Sequence, residues 1–269
     1  MASKETEVAD LADQEVLTGG VNEVTRVADR VRRPAGPWTP LVHDVLRHVR
    51  ERGFTGAPEV HGMTEDGQEE LSFLPGQVSN YPVTAEAAST EALVTAARLL
   101  RGYHDAVADF PWAGREGWML PAQPGADLVC HGDFGPHNCV LDGTRAVGLI
   151  DFDTAHPATR LWDVAYAVYR WAPVTAPGNT EQERSVREQA ERTRLFCDSY
   201  GLPADDRPRL LDTMADRLNA LVAFMRGRAA EGDTAFQSHL DAGHHHLYLG
   251  DVEYIRASRE EFHRVLLTG

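Results

Sequence analysis

Two short runs, His131-Gly-Asp-Phe-Gly-Pro-His-Asn138 and Ile150-Asp-Phe-Asp153, carry the densest set of reactive side chains in this sequence. Each run follows a short apolar segment, 128–130 for the first and 147–150 for the second. Short apolar segments that end in polar residues are typical of buried strands. The polar side chains are therefore expected to emerge together, and the glycines and proline of the first run predict a tight, non-helical backbone.

The order of the oxygen-bearing side chains indicates a chemistry. Asp133 is followed five positions later by Asn138, and Asp151 lies on the next predicted hairpin strand. Phosphoryl transfer requires a carboxylate that orients the attacking hydroxyl, together with ligands for magnesium. The oxygen donors of Asn138 and Asp151 suit a hard cation such as Mg²⁺, whereas zinc would favour histidine and cysteine. The alternative is a turn rich in Asn, Gly and Pro that carries no chemistry.

The pattern His131-Gly-Asp-x-x-x-x-Asn138 with Leu149-Ile-Asp151 resembles the motif of the aminoglycoside phosphotransferase and choline-kinase-like family. These enzymes are relatives of the protein kinases, whose His-Arg-Asp and Asp-Phe-Gly elements correspond to the two runs. The resemblance covers roughly residues 17–165. It implies transfer of a phosphate from ATP, with Mg²⁺, to a hydroxyl of a small molecule.

The same resemblance implies roles for single residues. Asp133 would be the catalytic base, and His131 would brace the loop that carries it. Asp153 would either assist the metal ligands Asn138 and Asp151 or remain a surface acid. Asp163, in Arg160-Leu-Trp-Asp163, matches an aspartate that ties down the catalytic loop in this family.

The nucleotide phosphates require a glycine loop and a cation. Gly19, Gly20 and Asn22 resemble the phosphate-covering loop of the family, although a plain hairpin would look the same. Kinases place a lysine on the third strand, but Lys4 is the only lysine in this chain. The family pattern on this strand favours Arg32. Its neighbour Arg33 remains an alternative, because adjacent strand residues point to opposite faces.

The segment Glu70–Gly76 corresponds to the inter-lobe hinge of the family. Backbone groups of Ser72, Phe73 and Leu74 are expected to bind adenine, and the Phe73 ring either packs on the purine or ends a buried strand. The helix that follows the basic hairpin has no glutamate in its early turns to pair with the strand cation. His43 and Asp44 occupy that region. A pseudokinase, or a nucleotide-binding regulator without turnover, is therefore the alternative function.

The order of predicted elements favours a bilobal, protein-kinase-like α+β fold, with a small antiparallel sheet lobe and a larger, mainly helical lobe. Residues 1–75 are predicted to form the nucleotide-binding lobe, with a frayed start at 1–13, and residues 76–269 the catalytic and substrate-binding lobe. Long helices are predicted at 39–52, 86–107, 181–200, 207–231 and 235–267, and strands at 23–27, 31–33, 60–63, 70–74, 128–130, 139–141 and 147–150.

Composition narrows the partners. A net charge of −15 argues against nucleic acid, and no apolar run approaches the 18 residues that span a bilayer. The acidic N-terminus lacks the apolar core of a signal peptide, which predicts a cytoplasmic protein. The acidic excess suits either a cationic co-substrate or simple solubility. Three acids of the helical part could each attract a substrate amine or be a solvated surface residue: Asp198, Asp241 and Asp251. The acceptor remains open between an antibiotic and an amino alcohol or sugar metabolite.

Overall fold

The computed structural model describes residues 14–17, 24–179 and 183–267. A five-stranded antiparallel sheet opens the chain, in the order β1-β2-β3-β5-β4. Its strands are β1 (Gln14–Leu17), β2 (Val24–Val27), β3 (Arg30–Pro34), β4 (Val60–Met63) and β5 (Gln68–Ser72). Helix α1 (Thr39–Glu51) crosses between β3 and β4.

Helix α1 forms where the sequence favours it. Pro40 occupies the first turn, where its missing N–H costs nothing. Apolar residues recur at helical spacing and bury Val42, Val45, Leu46 and Val49 almost completely. The helix ends at the Arg52-Gly53 turn, and Gly53 adopts a positive φ of 83°. This apolar stripe joins the sheet to the core of the rest of the molecule.

The remainder is mainly helical. Its helices are α2 (Ala85–Ala88), α3 (Thr90–Val107), α4 (Arg160–Trp171), α5 (Val186–Tyr200), α6 (Leu210–Ala230), α7 (Thr234–Asp241), α8 (His244–Ala257) and α9 (Arg259–Leu266). Large side chains such as Tyr103, Trp171, Phe196 and Phe262 fill the space between them. In the part of the chain that the structure describes, no helix is both long and apolar enough to cross a membrane.

Two small sheets position the reactive segments. Strands β7 (Leu128–Cys130) and β10 (His156–Ala158) pair with each other. Strands β6 (Gln77–Val78), β8 (Cys139–Asp142) and β9 (Arg145–Leu149) form the other sheet. A single-turn 3₁₀ segment at Pro136–Asn138 forms the end of the first run of polar residues, and another at Phe152–Thr154 overlaps the end of the second.

The structure confirms the α+β plan of a small antiparallel sheet followed by a larger helical part. The boundary at residue 75 remains a prediction, and the expected frayed segment 1–13 lies outside the described residues. The long helix expected at 235–267 is wrong. Gly243, with a φ of 79°, and Ser258 break it into α7, α8 and α9. Helix α5 begins at Val186, because Ser185 and Glu188 form a capping box there.

Candidate functional site

The loop after β7 is held by one buried carboxylate. Asp163, in the first turn of α4, accepts the backbone N–H groups of His131 at 2.7 Å and Gly132 at 3.0 Å. Its Oδ2 atom also accepts from His104 Nε2 at 3.0 Å. Burial opposes its ionisation, but the hydrogen bond from His104 outweighs this and lowers the pKa of Asp163 to about 2. The loop is thus fixed to the helical core by a charge at neutral pH.

Further contacts hold the same loop. His131 Nε2 donates to the carbonyl of Ile150 at 2.9 Å, and its Nδ1 accepts the N–H of Asp133 at 3.3 Å. This places His131 between the two runs of polar residues. Arg217, on α6, donates to the carbonyl of Gly132 at 2.6 Å and is buried. The sequence analysis missed Arg217, which lies 85 residues from its partner with no local signal to connect them.

The backbone takes unusual conformations at two points of the site. Gly132 has a φ of 86°, and a Cβ there would lie 2.4 Å from the carbonyl oxygen of Thr154. No residue other than glycine fits that approach. Asp151 has a φ of 61° and ψ of 68°, the left-handed region that non-glycine residues seldom adopt. Backbone strain of this kind is held in place by surrounding contacts and clusters at functional sites.

Asp133 lies at the tip of the loop, and its side chain is 31% exposed. His137 Nε2 donates to its Oδ2 at 3.3 Å, and Asn138 Nδ2 donates to the same oxygen at 3.0 Å. Burial raises the pKa of Asp133, but the charge of His137 and hydrogen bonds from His137 and Tyr166 outweigh it. The pKa of Asp133 is held well below its usual range, so the carboxylate is ionised at neutral pH.

The structure brings Asn138 and Asp151 next to each other through strand pairing. Cys139 and Leu149 are opposite each other in the β8–β9 hairpin, and Ile150 N–H donates to the Asn138 carbonyl at 3.1 Å. The amide nitrogen of Asn138 is engaged by Asp133. Among the described residues, nothing donates to the amide oxygen of Asn138 or to Asp151 Oδ2. Two oxygen ligands therefore remain available.

Arg33 connects the first sheet to these carboxylates. Its side chain is 9% exposed and donates to Asp151 Oδ1 at 2.7 Å and to Asp153 Oδ1 at 2.6 Å. The third bond, from Nε to Glu69 Oε1, is 2.5 Å long. His43 Nε2, on α1, donates to the other oxygen of Glu69 at 2.9 Å. Burial opposes ionisation of Glu69, but the bond from His43 and the charge of Arg33 hold its pKa below normal.

Arg32 lies on the opposite face of β3. Its Nε donates to Glu70 at 3.0 Å, and Arg30 pairs with the same carboxylate at 2.5 Å. The geometry thus disagrees with the preference for Arg32, because β3 turns Arg33 and not Arg32 toward the reactive aspartates. The sequence analysis also missed Glu69. The Glu69-Glu70 pair on a strand facing an arginine-rich strand was the available signal.

The hinge segment is partly committed to its own sheet. Ser72 N–H donates to the Glu59 carbonyl at 2.9 Å, and Phe73 N–H donates to the Asp29 carbonyl at 2.7 Å. The guanidinium of Arg26 lies 3.9 Å above the Phe73 ring and covers one face of it. In the described chain, Leu74 N–H is engaged by no other backbone group. The expected glycine loop, with Gly19, Gly20 and Asn22, lies outside the described residues.

Comparisons with known proteins place this arrangement in a family. A sequence model of the "Phosphotransferase enzyme family" matches residues 116–197, which include both runs and Asp163. The trifolitoxin immunity protein of Rhizobium leguminosarum bv. trifolii is 34% identical over 218 residues, 75% of this chain and 79% of that protein. The chain belongs to the aminoglycoside phosphotransferase and choline-kinase-like family. The resemblance predicted from its motifs is confirmed.

Solved structures agree on the fold. A choline/ethanolamine kinase family protein from Mesorhizobium loti has a TM-score of 0.62 at 17% identity, covering 100% of both chains. An amicoumacin kinase in complex with AMP-PNP, Ca²⁺ and Ami has a TM-score of 0.61 at 12% identity, covering 90% of this chain and 93% of that one. The fold is that of kinase-like phosphotransferases, a family that uses a nucleotide and acts on small molecules.

Proposed function

We propose that this family member transfers the γ-phosphate of ATP, in the presence of Mg²⁺, to a hydroxyl of a small molecule bound beside Asp133. The observation that carries the proposal is the meeting of Asp133, Asn138, Asp151 and Arg33 in one place, where Arg33 precedes Asp151 by 118 residues in the chain. Phosphoryl transfer depends on positioning and charge stabilisation more than on covalent chemistry. These four side chains supply both.

Asp133 is suited to orient the acceptor. It is ionised and partly exposed, and one of its oxygens is engaged by His137 and Asn138. The remaining oxygen can accept a hydrogen bond from an attacking hydroxyl, which aligns that hydroxyl with the phosphate. The proton passes to this carboxylate as the new O–P bond forms and the bond to ADP breaks. The anchored loop keeps Asp133 in this position throughout.

The residues present fit a magnesium ion. Asn138 Oδ1 and Asp151 Oδ2 are oxygen ligands that accept no bond from the described residues, and the Asp151 side chain is 48% exposed. No group of three His, Cys, Asp or Glu side chains in the described ranges could hold a metal by itself. That agrees with Mg²⁺, which binds one or two protein ligands and completes its shell with water and phosphates. When bound, the ion would neutralise charge on the transferring phosphate.

Arg33 takes the place expected for a strand lysine, and Glu69 takes the place of the missing helix glutamate. The pseudokinase alternative depended on the absence of both. Glu69 comes from β5 rather than from α1, while His43 of α1 supports it from behind. Nε, Nη1 and Nη2 of Arg33 each donate to a carboxylate, and the second N–H groups of Nη1 and Nη2 remain for phosphate oxygens. This replacement supports turnover over nucleotide binding alone.

Adenine would lie against the hinge. Because Ser72 and Phe73 already donate their N–H groups within the sheet, Leu74 N–H is the donor that remains for the purine. The free face of Phe73 can pack against the base, since Arg26 covers only the other face. Of the backbone N–H groups of Ser72, Phe73 and Leu74, one thus remains for adenine.

The test uses purified protein, AMP-PNP with Mg²⁺ for binding, and ATP with a panel of antibiotics, amino alcohols and hydroxy acids for turnover. Asp133→Ala should bind AMP-PNP within about twofold of the native protein and lose phosphate transfer. Asp151→Ala should lose the magnesium dependence of binding. Asp216→Ala, which removes an exposed carboxylate on α6, is the matched control and should change neither. Undiminished transfer by Asp133→Ala would refute the assignment.

We also infer a protective role, because the relative that covers most of this chain is named for immunity to a toxin. An amicoumacin kinase shares the fold. Phosphorylation of an inhibitory small molecule would provide such protection. Expression in a sensitive bacterium should raise the minimal inhibitory concentration of at least one compound, and the Asp133→Ala variant should not. Equal protection by both proteins would separate immunity from phosphate transfer.

A further inference from the structure

Tyr81, Arg170 and Tyr248 lie close to one another beside Asp133, and we call these three side chains the acceptor cluster. The Tyr81 ring lies 6.0 Å from the ring of His137, which itself donates to Asp133. On the other side, the Arg170 guanidinium lies 4.6 Å from the centre of the Tyr81 ring. The acceptor cluster is therefore adjacent to the carboxylate that would orient the acceptor hydroxyl.

Helix α4 aims Arg170 at this place. Asp163, Tyr166 and Arg170 recur at i, i+3 and i+7, so they share the face of α4 that contacts the catalytic loop. A Cβ built on Gly135 would lie 3.2 Å from the Cβ of Arg170, which shows how closely the helix packs on that loop. Arg170 thus occupies the far end of the same face that anchors the loop through Asp163.

Arg170 is a cation without a carboxylate partner. No Asp or Glu among residues 14–17, 24–179 and 183–267 lies within ion-pair distance of it, whereas most of the other arginines there have such a partner. Its Nε is buried and donates to no partner within those ranges. The rings of Tyr81 and Tyr169 provide its contacts, at 4.6 Å and 5.8 Å. A buried donor left unpaired is costly unless a ligand satisfies it.

The carboxylates expected to attract a substrate amine are engaged elsewhere. Asp251 is fully buried and accepts from Tyr169, Ala176 and Asn179, so it is not the surface residue that the sequence suggested. Asp198 pairs with Arg207 at 2.6 Å, and Asp241 accepts from Gln237 at 2.8 Å. Asp251 and Asp198 are therefore engaged, whereas Asp241 is exposed and its partner is a neutral amide. Beside Asp133, the charged side chain that lacks an ion-pair partner among the described residues is Arg170, and its positive charge acts on Asp133.

We propose that the acceptor of this kinase carries a carboxylate, which binds Arg170 against the Tyr81 ring while its hydroxyl reaches Asp133. The inference rests on the proposed function and names the class of its substrate: a small hydroxycarboxylate rather than an amino alcohol or a polyamine. The chain's overall charge of −15 repels such a molecule, which makes a local, partly buried arginine the feature that selects it. A guanidinium binds a carboxylate through two parallel hydrogen bonds, which a surface lysine would not match.

The experiment measures binding of three matched probe sets by ligand-observed NMR and calorimetry: short hydroxycarboxylates, the corresponding amides, and amino alcohols of the same chain length. The protein is saturated with AMP-PNP and Mg²⁺. The acids should bind at least tenfold more tightly than the other two sets. Arg170→Gln should weaken the acids by about tenfold to a hundredfold, the contribution of a charged hydrogen bond. It should leave the amides within twofold.

Controls separate selectivity from folding. Arg170→Lys keeps the charge and should retain part of the preference for acids, and both variants should unfold cooperatively. Arg187→Gln removes an arginine whose side chain is 75% exposed, so it changes the net charge equally and should not alter binding. The proposal would be overturned if the acids bind no more tightly than the amides. It would also be overturned if the affinity for the acids is the same in Arg170→Gln as in the native protein. Absence of acid binding would overturn it as well.

The two proposals fail in different ways. Asp133→Asn should still bind the acids and discriminate against amines, because Arg170 is intact, while losing transfer of phosphate. Acid binding without any transfer by the native protein would count against the kinase function alone. Transfer to amino alcohols, unaffected by Arg170→Gln, would support the kinase function and contradict the acidic acceptor.

Discussion

Replacing Glu69 by glutamine tests how the nucleotide side of the site is built. The two oxygens of Glu69 accept from Arg33 and His43, and its side chain is 1% exposed. Glutamine keeps the shape and one acceptor but removes the charge, so Arg33 loses one of three carboxylate partners. Breaking a buried ion pair costs about 3–5 kcal/mol when the remaining charge is left alone. Because Arg33 keeps Asp151 and Asp153 as partners, we expect Glu69→Gln to lower the free energy of unfolding by a smaller amount, about 2–3 kcal/mol.

Glu70 provides a matched control one residue further along the same strand. It also pairs with arginines of β3, but those arginines are 41% and 30% exposed, and Glu70 faces away from the site. Ion pairs of that kind contribute about 0.2–1 kcal/mol. Glu70→Gln should therefore cost less than about 1 kcal/mol and leave the affinity for AMP-PNP unchanged. Glu69→Gln should lower both stability and nucleotide affinity.

The assay is guanidinium-induced unfolding of the native protein and the two variants at neutral pH and at about pH 4, followed by AMP-PNP titration. The folded-state pKa of Glu69 is below its ordinary 4.5. The contribution of the Glu69 charge to stability is therefore complete above pH 4.5 and is lost as the pH falls through the lower folded-state pKa. The difference in unfolding free energy between the native protein and Glu69→Gln should shrink in acid. Equal destabilisation by the two variants, or a constant difference across pH, would refute the reasoning.

Three further predictions concern the loop and its surroundings. Gly132→Ala should lower the free energy of unfolding by about 2 kcal/mol or more, because Gly132 has a φ of 86° and lies against the Thr154 carbonyl. Its control is Gly143→Ala, where φ is 59° but the space around the residue is open, and the loss in the same assay should be about 1 kcal/mol. Asp163→Asn should destabilise the protein by about 2–4 kcal/mol and reduce turnover more than AMP-PNP binding, since an amide has one accepting oxygen and cannot satisfy all three N–H groups that donate to Asp163; unchanged turnover would contradict the anchoring role. Burial lowers the pKa of His156 from 6.5 to about 4. The unfolded chain binds that proton first, so stability should fall by about 3 kcal/mol as the pH drops through this window. His156→Phe should reduce the slope of unfolding free energy against pH, and an unchanged slope would count against it.

The sequence was sufficient for the fold and for the order of the reactive residues. Glycine, proline and short apolar runs determine the local backbone around Asp133 and Asp151, and such short-range signals are readable in one dimension. The family comparison confirms the resemblance predicted from these motifs. Element boundaries in the last third were less accurate, because Gly243 interrupts an otherwise continuous helical pattern.

The partners of Arg33 could not be predicted in the same way. Alternation along β3 shows that Arg32 and Arg33 face opposite sides, but not which side meets the aspartates. Which of the two arginines faces the aspartates is determined by α1 and the core, which pack against one face of the sheet. Glu69 is likewise chosen by the register of β3 with β5, where Arg33 is opposite Glu69. Arg217 reaches Gly132 only after α6 has docked. Long-range docking determines these contacts.

Helix α4 sets a fixed distance within the site. Its first turn carries Asp163, and Arg170 lies seven residues later, about 10 Å along the axis. One rigid element thus supports both the loop that bears Asp133 and the arginine of the acceptor cluster. Side chains at the far end of the helix can change what is accepted while the reacting geometry at the near end stays the same. Substrate range and chemical competence can therefore diverge independently among chains that keep this helix.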